Sequence, residues 1–478
     1  MTRRTVATFH DDVAWLDRLT TMMKMTFPIL LAITLGCASD VELPLDLDRG
    51  AQPPPEMEPD PSSDPPLADE WSRTDFPTQG WIQDLVWTTD GAVVAATPIA
   101  ADLDAPTQGA AVTLTRYGAD GAIEWVAHAS PTDLFMNLAA IEGGGVLVAT
   151  RPDLYGNRSP QPAGLAWYDA DGNLTASWRP SDEVTGDQLV AITSFEPLPD
   201  GGVFWVGVAG LSETVPVAGL LDAERQLQWI VPLPAPAESE VGEPTDVALT
   251  ADGGLVVLAG YRPEGSEPST SSDAYVVQLG PDGGERWRTE LVGSGAGAGM
   301  RVASSGNLVV AGTFRGRVSV GDLVLEDEPY PPRHFVAEID PAGEARGVHR
   351  IELPAWLVGA ENRFRVHAMT MTGEDLVVAG DYFTDPLVPA GFLATTHRVD
   401  GTFVSERIFA LQEVVGGAGS IGPMAVGAAP DGRLAAGGAF SGSVDFGDGV
   451  VDSGVGENGY PLTRPFVAVF EPGGTDVD

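Results

Sequence analysis

The side chains of this chain that could do chemistry are mostly carboxylates, together with six histidines between His10 and His397. No H-E-x-x-H motif occurs, and no histidine pair has the helical spacing of metal ligands. The glycine-rich segment GGAGSIG (416–422) lacks the lysine of a phosphate-binding loop, because Lys24 is the only lysine. Carboxylates are so numerous that choosing one pair would be arbitrary, and we therefore predict no catalytic residue.

Polar side chains also stand at the leading end of strand-like segments that recur along the chain. If such strands surround a common axis, their leading residues converge at its mouth, where a ring of polar groups can bind a ligand. The same ring can equally line a water-filled funnel, since most exposed polar residues need no special explanation. The candidate ring consists of Asp84, Asn137, Gln188, Asp246, Arg301 and His367.

Two acidic stretches offer oxygen ligands for calcium. The first has Asp169, Asp171 and Asn173, and the second has Asp445, Asp448 and Asp452. Calcium takes about six to eight oxygens, and neither stretch forms the loop of about twelve residues that ends in glutamate. We expect hairpin turns with solvated acids there, and hence no cofactor and no metal, with calcium as the alternative.

The elements that would position the ring are short strands in a recurring pattern. An apolar strand leads through an Asp-Gly or related turn to a second strand, and a third strand, a second turn and a fourth strand follow. One copy predicts strands at 247–250, 255–259, 275–279 and 285–291. Asp252-Gly253 and Asp282-Gly283 supply its turns, because these dipeptides tolerate the positive φ that tight hairpins need.

The first turns define seven copies, here called repeats 1 to 7. They are anchored at Asp90, Glu142, Asp200, Asp252, Ser305, Glu374 and Asp431, at intervals of 52, 58, 52, 53, 69 and 57 residues. Repeats of about 50 residues with four short strands are typical of propeller blades. The pattern therefore predicts an all-β fold, a seven-bladed β-propeller of four-stranded antiparallel blades over residues 71–473.

The ends of the repeat region predict how such a ring would close. Repeat 7 has only three strands, whereas the segment DEWSRTDF (69–76) repeats the fourth-strand pattern of GERWRTEL (284–291) without a blade of its own. We expect the N-terminal strand to complete the last blade, because an open ring would leave two exposed sheet edges. Trp71 would then be equivalent to Trp125, Trp178, Trp229 and Trp287, with Gly347 and Ser405 at this place in repeats 5 and 6.

Several segments resemble known propeller families. The strand endings with tryptophan and the segment FVAEIDPAG (335–343) resemble quinoprotein-like (PQQ-like) repeats. The segments GTFRGRVSVGDLVLEDE (312–328) and GAFSGSVDFGDGVVDSG (438–454) resemble propeller-type secreted lipoproteins of Gram-negative bacteria. The resemblance covers residues 71–473 and implies architecture rather than activity, since propellers host many unrelated functions.

The segment MMKMTFPILLAITLGCASD (22–40) has the pattern of a secretion signal. Lys24 precedes an apolar run that is too short to span a bilayer, and Gly36-Cys37 follows directly. This resembles the lipobox of bacterial lipoproteins and implies a lipid anchor at Cys37, although Thr34 and Leu35 depart from the usual motif. An ordinary secretory signal is the alternative.

We therefore expect a signal peptide over 1–36, with Met22, Met23 or Met25 as alternative starts, and an acidic Pro-rich tether over 37–70 that cannot bury enough surface to order itself. A short tail over 474–478 follows the propeller. The single cysteine excludes an internal disulfide. The net charge of −42 repels phosphate backbones, which makes nucleic acid a poor partner.

These features favour a non-enzymatic, lipid-anchored, monomeric module of the cell envelope that binds a protein or a glycan. The expected location is the outer membrane or cell surface of a Gram-negative bacterium, or otherwise the periplasm or exterior. The alternative is a propeller enzyme, a glycan hydrolase or lyase. It predicts clustered, buried carboxylates with shifted pKa values around the axis.

Overall fold

The computed structural model of the protein describes residues 71–74, 81–98, 112–128, 133–152, 164–179, 190–209, 215–233, 239–250, 252–263, 273–328, 333–357, 364–385, 388–412, 420–446, 450–455 and 462–471. All of them belong to one compact unit, Pro65–Asp478. The predicted signal peptide and tether, Cys37, Gln188 and Asp448 lie outside the described residues.

The described residues form strands and two short 3-10 turns, Glu142–Gly144 and Ala355–Leu357. The N-terminal strand and repeats 1 and 2 comprise β1 (Trp71–Arg73), β2 (Asp84–Trp87), β3 (Val93–Pro98), β4 (Val112–Tyr117), β5 (Ile123–His128), β6 (Asp133–Ala140), β7 (Val146–Pro152), β8 (Gly164–Tyr168) and β9 (Leu174–Trp178). Repeats 3 and 4 comprise β10 (Val190–Pro197), β11 (Val203–Ala209), β12 (Val215–Leu221), β13 (Leu227–Pro232), β14 (Ser239–Leu249), β15 (Leu255–Pro263), β16 (Asp273–Leu279) and β17 (Glu285–Val302). Repeats 5, 6 and 7 comprise β18 (Leu308–Val320), β19 (Leu323–Glu326), β20 (Arg333–Ile339), β21 (Ala345–Arg350), β22 (Phe364–Thr372), β23 (Asp375–Asp385), β24 (Val388–Arg398), β25 (Phe403–Gln412), β26 (Ser420–Ala428), β27 (Leu434–Ser441), β28 (Ser443–Asp445), β29 (Val450–Asp452) and β30 (Thr463–Phe470).

Hydrogen bonds join these strands into antiparallel sheets, as predicted, but into six rather than into separate sheets for each repeat. Repeats 1, 2 and 3 each form a four-stranded sheet. Repeats 4 and 5 are fused because β17 pairs with β16 as far as Leu291 and then continues along β18, where Met300 lies opposite Val310. The sheet of repeat 6 gains the β28–β29 hairpin, because Leu411 of β25 pairs with Val444.

The predicted pairing of the N-terminal strand with the last repeat is confirmed by the strand register. β1 pairs with β30, with Trp71 opposite Val469 and Arg73 opposite Val467, and it completes the sheet that contains β26 and β27. The outer edge of β30 is thereby covered by a strand from the other end of the described chain. A paired edge is no longer available for pairing with a second molecule.

Every buried apolar cluster found among the described residues joins two consecutive repeats. One cluster packs Val94 and Leu114 of repeat 1 against Val148 of repeat 2, and further clusters link each repeat to the next as far as repeat 7. A final cluster packs Val467 of repeat 7 against Leu85 of repeat 1. The sheets therefore stack face to face in a sequence that returns to its beginning.

The first strands of the repeats follow the same closed order. β2 contacts β6, β6 contacts β10, β10 contacts β14, and the series continues through β17, β22 and β26 back to β2. We call these the inner strands, with residues 297–302 of β17 serving as the inner strand of repeat 5. Because each inner strand contacts the next, side chains from different repeats can meet there.

Tryptophans of the fourth strands connect neighbouring repeats at the opposite edge. Each indole N–H donates to a carbonyl in the second turn of the next repeat: Trp71 to Ala119 (3.0 Å), Trp125 to Ala170 (2.7 Å), Trp229 to Pro281 (2.7 Å) and Trp287 to Pro341 (3.0 Å). Trp71 thus makes the same contact as three interior tryptophans, as its predicted equivalence requires.

The predicted equivalence of Trp178 is wrong. Ala176 occupies the equivalent position, opposite Trp167, and Trp178 lies two residues further along β9, opposite Leu165. Its ring packs against Trp205 at 5.7 Å, and its buried N–H has no hydrogen-bond partner. The turn that it would have contacted carries Arg225 at positive φ, where the other turns have glycine.

Repeats 5 and 6 lack the tryptophan, as predicted, and the register places Gly347 and Ser405 at its position, opposite Glu338 and Thr396. In repeat 7 the third and fourth strands, β30 and β1, come from different ends of the chain, so no turn connects them. A tryptophan in place of Ser405 would therefore have no such turn to contact. Within the described ranges, no helix is long and apolar enough to cross a membrane.

Candidate ligand site on the inner strands

The inner strands carry β-bulges at corresponding positions, and these bulges identify equivalent residues in different repeats more reliably than the sequence does. The register shifts between Phe135 and Asn137, Ile192 and Ser194, Pro244 and Asp246, Gly297 and Gly299, Val366 and Ala368, and Pro423 and Ala425. A bulge bends the strand and re-aims the side chains that follow it. The residues just after the bulges are therefore structurally equivalent across the repeats.

Asp84 and Asp246 are equivalent and make the same contacts. Each accepts a hydrogen bond from the N–H of its own next residue, at 2.9 and 3.0 Å. Each also accepts one from the inner strand of the next repeat, Leu138 N to Asp84 at 2.6 Å and Met300 N to Asp246 at 2.8 Å. Each carboxylate therefore links two adjacent inner strands, because it accepts a hydrogen bond from a backbone N–H at the edge of the next repeat's sheet.

Arg301 extends the contact at Asp246. Its Nη1 donates to Asp246 Oδ2 at 2.7 Å and to the Met300 carbonyl at 2.6 Å, while its side chain remains 41% exposed. Gly299 makes room for this arrangement, because a Cβ there would lie 3.3 Å from Asp246 Oδ2 and 3.0 Å from Met369 Cγ. The guanidinium is thus held by one nitrogen and is accessible to solvent.

Glu196 is the remaining member of the group. It lies two residues after the bulge of β10, as Arg301 lies two residues after the bulge residue of β17, so the two occupy equivalent places in repeats 3 and 5. Glu196 is half-buried, and its carboxyl makes no hydrogen bond with any described residue. We call Asp84, Glu196, Asp246 and Arg301 the inner-strand cluster.

The charges of the inner-strand cluster act on one another. Burial raises the pKa of Asp84 and that of Glu196 to about 7 in each case, and the charge of Asp246 adds to both shifts. The positive charge of Arg301 opposes them, and the nearby carboxylates in turn raise the pKa of Arg301, with Asp246 as the largest cause. The cluster therefore changes its net charge near neutral pH.

Replacing Glu196 by glutamine is expected to raise the free energy of unfolding at pH 8 by roughly 1–3 kcal/mol. The carboxyl of Glu196 has a folded-state pKa above its ordinary value of 4.5, so the wild type loses stability as pH rises from 4.5 through about 7. Urea unfolding at pH 8 and at pH 4.5 measures the difference. The exposed Glu224→Gln is the control, and an equal gain for Glu196→Gln at both pH values would contradict the interpretation.

The structure brings together three of the six predicted ring residues, Asp84, Asp246 and Arg301. Asn137 is equivalent to Asp246 but its amide donates to the Thr193 carbonyl at 2.7 Å. His367 lies within the bulge of β22 and pairs with Asp381 through Nε2. The predicted positions were therefore not all equivalent, because a shift of one residue turns a strand side chain to the other face.

Sequence reasoning missed Glu196. The signal was present in the spacing from the turns, because Glu196 and Arg301 both precede their turn anchors, Asp200 and Ser305, by four residues. Aligning the repeats on these anchors would have placed the two opposite charges at the same position. Because the bulges are invisible in the sequence, only the leading residues of the strands stood out.

The two stretches that offered calcium ligands use their acids within turns. Asp169 accepts hydrogen bonds from the backbone N–H groups of Asp171 (3.0 Å) and Asn173 (2.8 Å), and Asp452 accepts one from Ser443 Oγ at 3.0 Å. Over the ranges given above, no three or more His, Cys, Asp or Glu side chains form a group that could hold a metal ion. Asp448 lies outside them, so calcium at the second stretch remains the untested alternative to a turn with solvated acids.

A groove of about 500 Å³ lies between the first turns of repeats 1, 6 and 7. Its polar side chains are engaged locally: Thr88 Oγ1 donates to Asp90 at 2.6 Å, and Asp431 accepts from Arg433 at 3.0 Å. Arg433 in turn lies over the ring of Trp87. The groove therefore offers a ligand fewer polar groups without hydrogen-bond partners than the inner-strand cluster does.

Comparison with known proteins gives similar structures but no family. No established family pattern and no curated protein matches the sequence. Similar solved structures are the polysaccharide lyase Uly1 (11% identity, TM-score 0.45, covering 83% of this chain and 90% of that one) and an ulvan lyase (10%, 0.46, 78% and 92%). The β-propeller domain of the Trilobed protease from Pyrococcus furiosus is similar too (12%, 0.44, 76% and 90%). At these scores, no activity can be argued from those proteins.

Proposed function

We propose that the chain is a seven-bladed β-propeller in which each repeat forms one blade and β1 completes the seventh. The closed order of inner-strand contacts and the buried clusters between consecutive repeats support this arrangement. The fusion of repeats 4 and 5 is compatible with it, because a single continuous strand, β17, can end one blade and begin the next.

We further propose that a lipid on Cys37 anchors the propeller at the cell envelope. The support is the sequence alone, in which the only cysteine follows a short apolar run and precedes an acidic, Pro-rich segment. Metabolic labelling with a palmitate analogue is expected to mark the wild type and not Cys37→Ser. Equal labelling of both would contradict the anchor, and labelling of neither would favour an ordinary secretory signal.

The function that the geometry supports best is binding, without catalysis, of a polar ligand at the inner-strand cluster. The observation that carries this is the state of Arg301 and Glu196. Arg301 is held through one nitrogen and is 41% exposed, and the carboxyl of Glu196 makes no hydrogen bond with a described residue. Opposite charges left partly unengaged suit a ligand that donates to a carboxyl and accepts from a guanidinium, as glycan hydroxyls or a peptide backbone do.

Arg301→Ala is expected to lose the ligand that the wild type captures from detergent-solubilised envelope, and Glu196→Gln is expected to weaken its capture. The first change removes the guanidinium that would contact the ligand, and the second replaces one acceptor oxygen of the carboxyl by an amide N–H₂ donor. The exposed Arg315→Ala is the control for the loss of one positive charge, and circular dichroism checks folding. Capture that survives Arg301→Ala, or is lost equally with Arg315→Ala, would contradict the site.

The raised pKa values of Asp84 and Glu196 favour a second candidate, a glycan hydrolase or lyase. A carboxyl with a pKa near 7 can exchange a proton at neutral pH. Asp84 is less suited than Glu196, since both of its oxygens already accept backbone N–H bonds. Depolymerisation of acidic and neutral polysaccharides by the wild type, abolished in Glu196→Gln, would establish this candidate over simple binding.

A further inference from the structure

Trp356 is held in a fixed orientation on the outer side of repeat 6. It belongs to the 3-10 turn Ala355–Leu357, which leads from repeat 5 into repeat 6 and is anchored by the buried Leu357. Its indole N–H donates to both carboxylate oxygens of Glu406, at 2.8 and 2.9 Å. Its ring meets that of Tyr382 edge-on, with centroids 5.4 Å apart. Two different contacts thus fix the ring.

This tryptophan is nevertheless 47% exposed. A tryptophan normally buries most of its large apolar surface, and its N–H finds a partner when it does. Here the polar edge is satisfied by Glu406, so the surface left to solvent is the apolar part of the ring. Trp81 is exposed to a similar extent, 43%, but has no hydrogen bond or ring contact with any described residue. Exposure alone is therefore not what distinguishes Trp356.

The strand that supplies the acceptor Glu406 also carries two exposed apolar side chains beside it. Val404 and Ile408 lie two residues on either side of Glu406, on the same face of β25, and are 39% and 40% exposed. Each carboxylate oxygen of Glu406 accepts one bond from the indole and has a further lone pair available. Burial raises the pKa of Glu406, and the hydrogen bond from Trp356 opposes the shift.

We propose that Trp356 and Glu406 form a carbohydrate platform that takes one pyranose unit of a glycan, separate from the inner-strand cluster. The C–H face of the sugar stacks on the exposed ring, and its hydroxyls donate to Glu406 at the edge of the ring. A rigid aromatic surface with a polar group at its edge suits a ligand that is apolar on its faces and polar around its rim. An apolar peptide side chain would leave the carboxylate without a donor. A cation would bind over the ring face, whereas the negative charge lies at the edge.

Titration of the full chain with a soluble cello-oligosaccharide and a soluble chito-oligosaccharide, followed by the indole N–H signal of Trp356 in NMR, tests the platform. At least one of them is expected to shift that signal in the wild type. Because Trp356→Ala lacks this signal, affinities of the wild type and the variants are compared by isothermal titration calorimetry. Trp356→Ala is expected to weaken the binding by about tenfold or more. Glu406→Gln keeps an acceptor for the indole and for a hydroxyl, and is expected to change affinity by less than about threefold. Trp81→Ala is the matched control and is expected to bind as the wild type does.

The proposal is overturned if neither sugar binds at millimolar concentration, or if Trp356→Ala binds as tightly as the wild type. It is also overturned if tetramethylammonium shifts the Trp356 signal while the sugars do not, because the ring would then be a cation site. Arg301→Ala is expected to leave this binding unchanged. Failure here would therefore be distinguishable from failure of the site proposed at the inner-strand cluster.

Discussion

Trp71→Ala is expected to lower the free energy of unfolding by roughly 3–5 kcal/mol, the cost of truncating a buried tryptophan to alanine. Trp71 is 8% exposed and packs in the cluster that joins repeats 7 and 1, with its ring 5.6 Å from that of Tyr117. The substitution also removes the hydrogen bond to the Ala119 carbonyl, which spans repeats 7 and 1. Urea unfolding measures the change, with the exposed Trp81→Ala as the control for the loss of an indole.

The location of Trp71 means that the substitution has a further consequence beyond the cavity that it leaves. β1 has only three residues, and Trp71 is its only buried side chain. When β1 detaches, the edge of β30 becomes available for pairing with another chain. We therefore expect Trp71→Ala to aggregate at lower denaturant concentrations than the wild type. A loss below about 1 kcal/mol without aggregation would contradict the role assigned to this strand.

Gly121 allows a second test of the same contact. It adopts a φ of 74°, and a Cβ there would lie 2.6 Å from the Trp71 ring. Gly121→Ala is therefore expected to be destabilising in the wild type, through both backbone strain and displacement of the indole. In the Trp71→Ala background only the strain remains, so the cost should be smaller. Additive effects in this double-mutant cycle would show that the two residues do not interact.

The closure was predictable because it rests on strand patterns that survive in the sequence. The segment around Trp71 carries the same residue types as that around Trp287, and both donate to a carbonyl in the following turn. Trp178 was assigned wrongly because tryptophan alone does not fix register. A displacement of two residues keeps the side chain on the same face of the strand, and only the pairing of Ala176 with Trp167 reveals it.

The candidate site was predictable only in part, because its geometry depends on the bulges. Asp84, Asp246 and Arg301 stood out as polar residues in apolar strands, and they do interact. Glu196 did not stand out, because Gln188 was taken as the leading polar residue of its repeat. Its contribution depends on the pKa shift that burial causes, and burial follows from how the repeats close around it.

Two sets of buried groups among the described residues have opposite effects on stability near neutral pH. The carboxyls of Asp84 and Glu196 have folded-state pKa values above their ordinary ones, so they favour the folded state as pH falls below about 7. Two buried histidines oppose them. Burial lowers the pKa of His334 to about 4 and that of His397 to about 3. Between pH 7 and pH 5 the two sets offset each other, and the pH dependence of the wild type should be shallow.

Replacing either His334 or His397 by glutamine is expected to remove the contribution of that histidine to the loss of stability at low pH. Each wild-type histidine stays neutral when folded but takes up a proton when unfolded, below its ordinary value of 6.5. Stability is therefore lost as pH falls from 6.5 toward 4, by about 1.4 kcal/mol per pH unit for each histidine. Relative to the wild type, each variant should gain roughly 2 kcal/mol on going from pH 7 to pH 5.

Comparing the change between two pH values separates this effect from the packing cost of the substitution. His334 Nε2 lies 3.2 Å from the Phe364 carbonyl and His397 Nε2 lies 2.8 Å from Thr395 Oγ1, so glutamine costs some stability at every pH. The Nδ1 atoms of both rings are buried without a hydrogen-bond partner. At His397 burial keeps the pKa low and outweighs the backbone of Gly401, which favours the charged form. The exposed His128→Gln is the control and should show no such gain. If the free energies of unfolding of His397→Gln and the wild type change in parallel between pH 7 and pH 5, burial does not lower the pKa of His397 as proposed.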